Sequence, residues 1–310
     1  MGHKSKLSLV RQVQERYDSL LSIGRSKYED KKAGVTKNYI YSWSTYKAYI
    51  KHANYFTAWC KSNHGCKTLA DCRPYAAAWM ATRNTLSPYT QKLEASALAK
   101  LYGCSAAALG IETSSTSRSG ITRSRSDAKR DKNFNEDRHS DFVEFCRSVG
   151  CRRKELQQLR GSDLVVHDGS WCIHFTRGTK GGRERYAPVC GSEELVVRVC
   201  VKAGIGKVIE QLERSGRVPE ADIHSYRADY ATRVYKQAAR PIEGLKDVRE
   251  WYGKVHRTTG EKLLEPAIYR MRSDREGEVF DRAAMLKASR ALGHNRISVV
   301  ADHYLRKTEN

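Results

Sequence analysis

The chain is 310 residues and 35.2 kDa, room for two domains at roughly 100–200 residues each. Its 56 Lys and Arg against 35 Asp and Glu leave a formal charge of +21, so a polyanionic partner is the first expectation. With 40% hydrophobic residues, 22 glycines and six prolines it is neither collagen-like nor wholly disordered, and no run approaches the ~18 apolar residues of a membrane span.

The first thirty residues lack the apolar stretch of a signal peptide, which predicts a cytoplasmic protein with no membrane partner. Nine cysteines, an odd number, fit reduced thiols better than a disulfide framework. Cys60, His64, Cys66 and Cys72 lie close together, but their spacing matches no usual zinc pattern, so structural thiols are expected and no metal.

In chain order, Leu9, Val10, Val13, Tyr17, Leu20 and Leu21 fall at helical spacing and predict one amphipathic helix within 5–30. Two Ala- and Tyr-rich runs, 43–62 and 91–110, have helical period, and Ser87-Pro88 marks a helix start. A small all-α domain of four or five helices over 39–111 follows, after an N-terminal helical extension at 1–38. Residues 112–135 are a basic Ser/Thr-rich linker carrying Arg118, Arg123, Arg125, Lys129, Arg130 and Lys132. They suit a strap along phosphates and a solvated tether equally well.

From 136 to 310 the pattern predicts a mostly helical α+β domain. Helices are expected at about 136–148, 152–160, 192–214, 223–239, 282–292 and 297–305. Three short antiparallel strands lie between 163 and 189, with a turn at His167–Ser170 and a longer basic one at Arg177–Gly182. The fold class is thus α+β, mostly helical: a small all-α domain plus a domain with a small antiparallel sheet.

Five pieces of this second domain carry candidate chemistry: Gly150–Leu156, Thr179–Arg185, His224–Arg227, Leu292–His294 and Tyr304. Each alone is weak, since His-x-x-Arg recurs at His174/Arg177 and Tyr304 is one of 17 tyrosines. Arg152 has Glu155 three residues on, where the carboxylate can hold the helix start or the arginine. Lys180 sits at a hairpin tip, and His224 and Arg227 are one helical turn apart. Arg153 and Lys154 read as helix surface or phosphate contacts, and Tyr226, Tyr230 and Tyr235 as core.

Taken in order, the set resembles the tyrosine recombinase (phage integrase) family. That family combines an arginine in a G-x-R-x-x-E-L context, a hairpin lysine, His-x-x-Arg, Leu-Gly-His and a tyrosine about ten residues later. The resemblance covers 136–306, and the helical domain is similar in size and position to the family's core-binding domain. It implies a catalytic domain at 136–310 that breaks and rejoins DNA through a 3′-phosphotyrosyl link, without metal, cofactor or ATP. It also implies a homotetramer on paired double-stranded DNA sites, a directionality or DNA-bending accessory protein, and DNA clamped between the two domains on the nucleoid. The site residues it implies are Arg152, Lys180, His224, Arg227, His294 and Tyr304.

The residue types suit those roles. Arginine forks can grip the non-bridging oxygens of a phosphodiester where negative charge gathers. A free tyrosine has a pKa near ~10, so Tyr304 needs cations and a base to attack. His224 is the candidate base, Lys180 the acid for the leaving 5′ oxygen, and His294 a hydrogen-bond donor to phosphate. Three departures from the compact pattern stand out. There are 66 residues between Arg227 and His294, with a basic hairpin expected in 267–281 (Arg270, Arg272) turning near Glu276-Gly277. Six residues follow Tyr304, a short tail for exchange between protomers, and the N-terminal extension is short for an arm-binding domain. Type IB topoisomerase-like relaxation and a catalytically silent DNA-binding protein of the same fold stay open. So do the target sequence, the direction of recombination and the mobile genetic element served.

Overall fold

The computed structural model describes residues 7–114, 116, 134–272, 275–294 and 296–305. The chain divides into two compact units, Met1–Thr122 and Arg123–Asn310. The six linker cations from Arg118 to Lys132, and the tail beyond Leu305, lie outside the described residues.

In the first unit α1 (Leu9–Asp18) begins at Ser8, whose hydroxyl accepts from the Arg11 N–H. Leu9, Val13 and Tyr17 turn one face inward, and the Tyr17 hydroxyl donates to the Ala97 carbonyl at 2.8 Å. The single helix expected within 5–30 is two pieces. The chain turns after Asp18, Gly24 takes a φ of 86°, and α2 (Lys27–Lys32) starts afresh at Ser26. Leu20 is buried by the turn, while Val10 stays exposed on the outer face of α1. Next come α3 (Trp43–His64), α4 (Leu69–Cys72), α5 (Ala76–Ala81) and α6 (Pro88–Tyr102). Ser87 caps α6 and Pro88 occupies its first turn, where a missing N–H costs nothing. The core gathers Val13, Tyr17, Phe56, Trp79 and Leu98, with Cys60, Cys66 and Cys72 buried among them. His64, on which a metal reading would depend, stacks on Tyr75 at 3.7 Å.

The second unit opens with α7 (Ser140–Val149) and α8 (Arg153–Gln158). The sheet β1 (Leu164–His167), β2 (Ser170–Phe175), β3 (Arg185–Pro188) runs antiparallel in that order, with His167 opposite Ser170. Helices α9 (Glu193–Ala203) and α10 (Ile209–Leu212) replace the single helix expected at 192–214. The break is set from outside: Gly204 leaves the helix, and its carbonyl accepts from the Ser162 N–H at 2.7 Å. α11 (Ile223–Ala238) lies between α7 and the later helix α12 (Arg282–Ala291), and α13 (Ile297–His303) packs on α12. Phe142, Phe145, Leu156, Ile173, Tyr230 and Met285 form the centre of this core. Burying each such side chain contributes roughly 1.5–3 kcal/mol.

Between α11 and α12, β6 (Ile268–Arg270) pairs with β7 (Val279–Asp281), the hairpin expected there. A second hairpin escaped the sequence reading, β4 (Arg249–Val255) with β5 (Lys262–Pro266). Its register slips between Trp251 and Val255, which blurs the two-residue alternation that announces a strand. Arg240 ties both hairpins down, reaching Glu250 at 2.6 Å and Asp281 at 2.8 Å. No described helix is long and apolar enough to cross a membrane.

Candidate active site

α7 ends at Gly150, whose φ of 59° favours glycine. A Cβ there would meet the Tyr230 ring at 2.1 Å, so the turn has no room for a side chain. The turn exposes the Gly150 carbonyl to two guanidinium groups: Arg227 donates through Nη1, and Arg185 through Nη2 at 3.3 Å.

Two residues later Arg152 begins α8. Its backbone N–H donates to Glu155 Oε2 at 2.7 Å, and its Nη1 to Oε1 at 2.5 Å. Both uses of this carboxylate foreseen from sequence therefore occur together. Glu155 also accepts from Arg185 Nη2 at 2.7 Å and lies 3.9 Å from Arg227 Nη1. One fully buried carboxylate thus faces three arginines.

The same guanidinium groups reach the segment that leads to Tyr304. Arg152 Nη2 donates to the Leu292 carbonyl at 3.3 Å, and Arg227 Nη2 donates to the same oxygen. Arg185 Nη1 donates to the Ala291 carbonyl at 2.8 Å. His294 follows Gly293, and its Nε2 lies 3.4 Å from the Tyr304 hydroxyl. The Arg227 guanidinium carbon sits 5.6 Å from the centre of the Tyr304 ring. Both Tyr304 and Arg227 are buried, Arg227 at 0% exposure. The Nε of Arg227 and that of Arg185 are buried and find no hydrogen-bond partner among the described residues.

Arg152, Lys180 and His224 line one cleft of about 660 Å³, with Thr179 and Asp222. Lys180 is exposed in the 176–184 connection between antiparallel β2 and β3, the longer basic turn expected there, which carries one 3-10 turn. Gly178 brings that loop onto α8, since a Cβ there would lie 2.4 Å from the Lys154 carbonyl. His224 and Arg227, one turn apart on α11, differ in access: His224 is exposed on the cleft and Arg227 is enclosed. The six residues therefore form two adjoining groups, Arg152/Lys180/His224 and Arg227/His294/Tyr304. Arg152 belongs to both through the Leu292 carbonyl.

The charges set the protonation states. Burial pushes the Glu155 carboxyl up, but Arg185, Arg227 and Arg152 outweigh it and hold the group below its usual value. Arg227 is lowered to about 10 by burial, then by repulsion from Arg185 and Arg152, and remains a cation at neutral pH. His294 is lowered to about 4, first by burial and then by Arg227, Arg152, Arg185 and Lys180, so its imidazole is neutral at pH 7.

Sequence reasoning missed two arginines. Arg185 lies inside the motif it singled out, but the pattern Arg-Glu-Arg looks like a solvated turn. Its position on β3, with its guanidinium 3.9 Å over the Phe175 ring, is the deciding fact. Arg275, in the β6–β7 hairpin, donates to the Ala301 carbonyl of α13 and pairs with Glu278. Arg153, expected on the helix surface or at phosphate, donates to the carbonyls of Val218, Pro219 and Ala221 and holds that segment against α8.

No family model matches this chain, and no curated protein does. Solved recombinase structures are similar to it. An XerH site-specific recombinase in its post-cleavage complex with a palindromic difH substrate is 14% identical, over 97% of this chain and 91% of that one, at a TM-score of 0.44. The Tn1549 transposon integrase, residues 82–397 with circular intermediate DNA, is 11% identical over 98% of this chain and 96% of that one, at 0.38. XerA recombinase is 13% identical over 96% and 94%, at 0.27.

Proposed function

We propose that this chain is a site-specific DNA recombinase that cleaves and rejoins strands through Tyr304. The observation that carries the reading is the meeting of three side chains distant in sequence. Arg152 and Arg227 share the Leu292 carbonyl, and the Tyr304 ring lies beside Arg227 with its hydroxyl at His294.

In the reaction the Tyr304 oxygen attacks the scissile phosphorus and the bond to the 5′ oxygen breaks. The phenol gives up its proton to His224 or to solvent, and Lys180 protonates the departing 5′ oxygen. Arg152 and Arg227 stabilise the charge that builds on the non-bridging oxygens. The product is a 3′-phosphotyrosyl ester and a free 5′-hydroxyl, and attack by that or another 5′-hydroxyl restores the phosphodiester. One phosphoester replaces another, so ATP is not consumed. Neutral His294 hydrogen-bonds to the phenol in the free chain and to the phosphate once the tyrosine has moved. The Tyr304 ring lies beside the enclosed Arg227, so capture of the phosphate there would take a movement of this segment.

The N-terminal unit and the +21 charge would supply duplex affinity that falls with salt. Exchange between two sites then takes four active sites, a homotetramer on DNA. A nicked suicide duplex carrying the cognate site tests the chemistry: wild type should migrate as a covalent adduct, and Tyr304→Phe should not. No adduct with wild type, or an adduct with Tyr304→Phe, sinks the proposal. Relaxation of supercoils without strand exchange on paired sites would replace recombination by topoisomerase activity.

A further inference from the structure

Glu94 on α6 is a second fully buried carboxylate, in the N-terminal unit, and no step above uses it. Its Oε1 accepts from Arg83 Nη2 at 2.9 Å and its Oε2 from Arg83 Nε at 3.1 Å. His52 Nδ1 lies 3.1 Å from Oε1; facing a carboxylate, it carries the proton and donates. A buried ion is costly unless it is fully paired, and these partners pair it. The arrangement also immobilises two surface side chains, Arg83 at 29% exposure and His52 at 13%. Among the described residues, no side chain takes the Arg83 Nη1 donors or the His52 Nε2, which leaves them for another partner.

The surroundings point to what that partner is. From Trp43 to Gly110 the sequence holds eight Lys and Arg but only two acids, Asp71 and Glu94. Asp71 is engaged by the Lys67 and Thr68 backbone N–H groups, and Glu94 is buried, so this stretch offers cations with little opposing charge. On α3, Lys47 and Lys51 are exposed one turn apart. Exposed Tyr55 stands edge-on to His52, with ring centres 5.9 Å apart, and the Lys51 ammonium lies 5.8 Å from the Tyr55 ring. A planar fork held in place by a buried carboxylate matches phosphate oxygens at low entropic cost.

We propose that Glu94 presets Arg83 and His52 as a contact to the phosphate backbone of duplex DNA, flanked by Lys51 and Tyr55. This deepens the recombinase reading, from which it takes DNA as the polyanion. The contact positions the unit on the duplex and is blind to base sequence.

The test measures binding of the full chain to a cognate and a scrambled duplex over a range of salt. The double variant Arg83→Gln/Glu94→Gln removes cation and anion together, so no unpaired charge stays buried, and its thermal melt verifies folding. Expected is a slope of log K against log salt lowered by about 1, with the same loss of affinity on both duplexes. Lys51→Ala, exposed and safe for the fold, should lower the slope further when added. A folded double variant with an unchanged slope overturns the contact, as does a loss confined to the cognate sequence. Adduct formation by wild type, read separately, tells the two proposals apart. A lowered slope without any adduct keeps this contact and removes the recombinase; an adduct with unchanged slope does the reverse.

Discussion

Glu155 and Glu94 are both fully buried carboxylates, one in each unit, and their company differs. Glu94 faces one guanidinium and one imidazole, so its charge is balanced within the pair. Glu155 faces three guanidinium groups, two of them enclosed, and the cluster is left with surplus positive charge. Burial first, and these arginines second, lower Arg227 to about 10 and His294 to about 4. A balanced pair stabilises a shape. The overcharged one leaves the buried Nε of Arg227 and of Arg185 without a hydrogen-bond acceptor among the described residues.

Removing each carboxylate should separate the two designs most widely. Glu155→Gln leaves Arg185 and Arg227 buried without a counter-charge and should cost about 3–5 kcal/mol in denaturant unfolding. Glu94→Gln should cost only about 1 kcal/mol, because Arg83 can reach water. Equal losses would mean that the surplus charge at Glu155 is not felt.

Arg185→Lys is the next largest effect. It keeps the charge but cannot serve Glu155, Gly150 and Ala291 at once. Adduct formation should slow by about 10²-fold, in line with losing one preorganised donor, while duplex affinity stays near wild type. A fall in affinity alone would make Arg185 part of the DNA-binding surface.

The smallest effect is a pH limb. His294 titrates near 6.5 when unfolded and at about 4 in the fold. Between those values the unfolded chain binds the extra proton, so the stability tied to this group is present above pH 6.5 and declines as the pH falls towards 4. His294→Gln should flatten that part of the stability profile.

Much of the second unit was legible. Its three strands, α11 and α12, like the start of α6 in the first unit, follow from turn residues, caps and period, which act over a few positions. The failures share a cause. One helix was expected within 5–30, and another at 192–214; turns that other segments stabilise broke both, as Ser162 does at Gly204. The β4–β5 hairpin was hidden by its own bulge. At the site, Arg185 carried no signal because a buried arginine on a short strand has the same letters as a solvated basic loop.

The amino-acid sequence by itself determined the excess of positive charge, the order of Arg152, Lys180, His224, Arg227, His294 and Tyr304, and the local elements that bear them. Those depend on residue type and on neighbours three or four positions away. Tertiary structure alone decided that Glu155 would serve three arginines, that Arg185 would join the cluster and that the Tyr304 ring would lie beside Arg227. The deciding hydrogen bonds span 65 to 140 residues, from Arg227 and Arg152 to the Leu292 carbonyl. Contacts of that range leave no local period, and only the packing of α7, α8, α11 and α12 around one core brings their ends together.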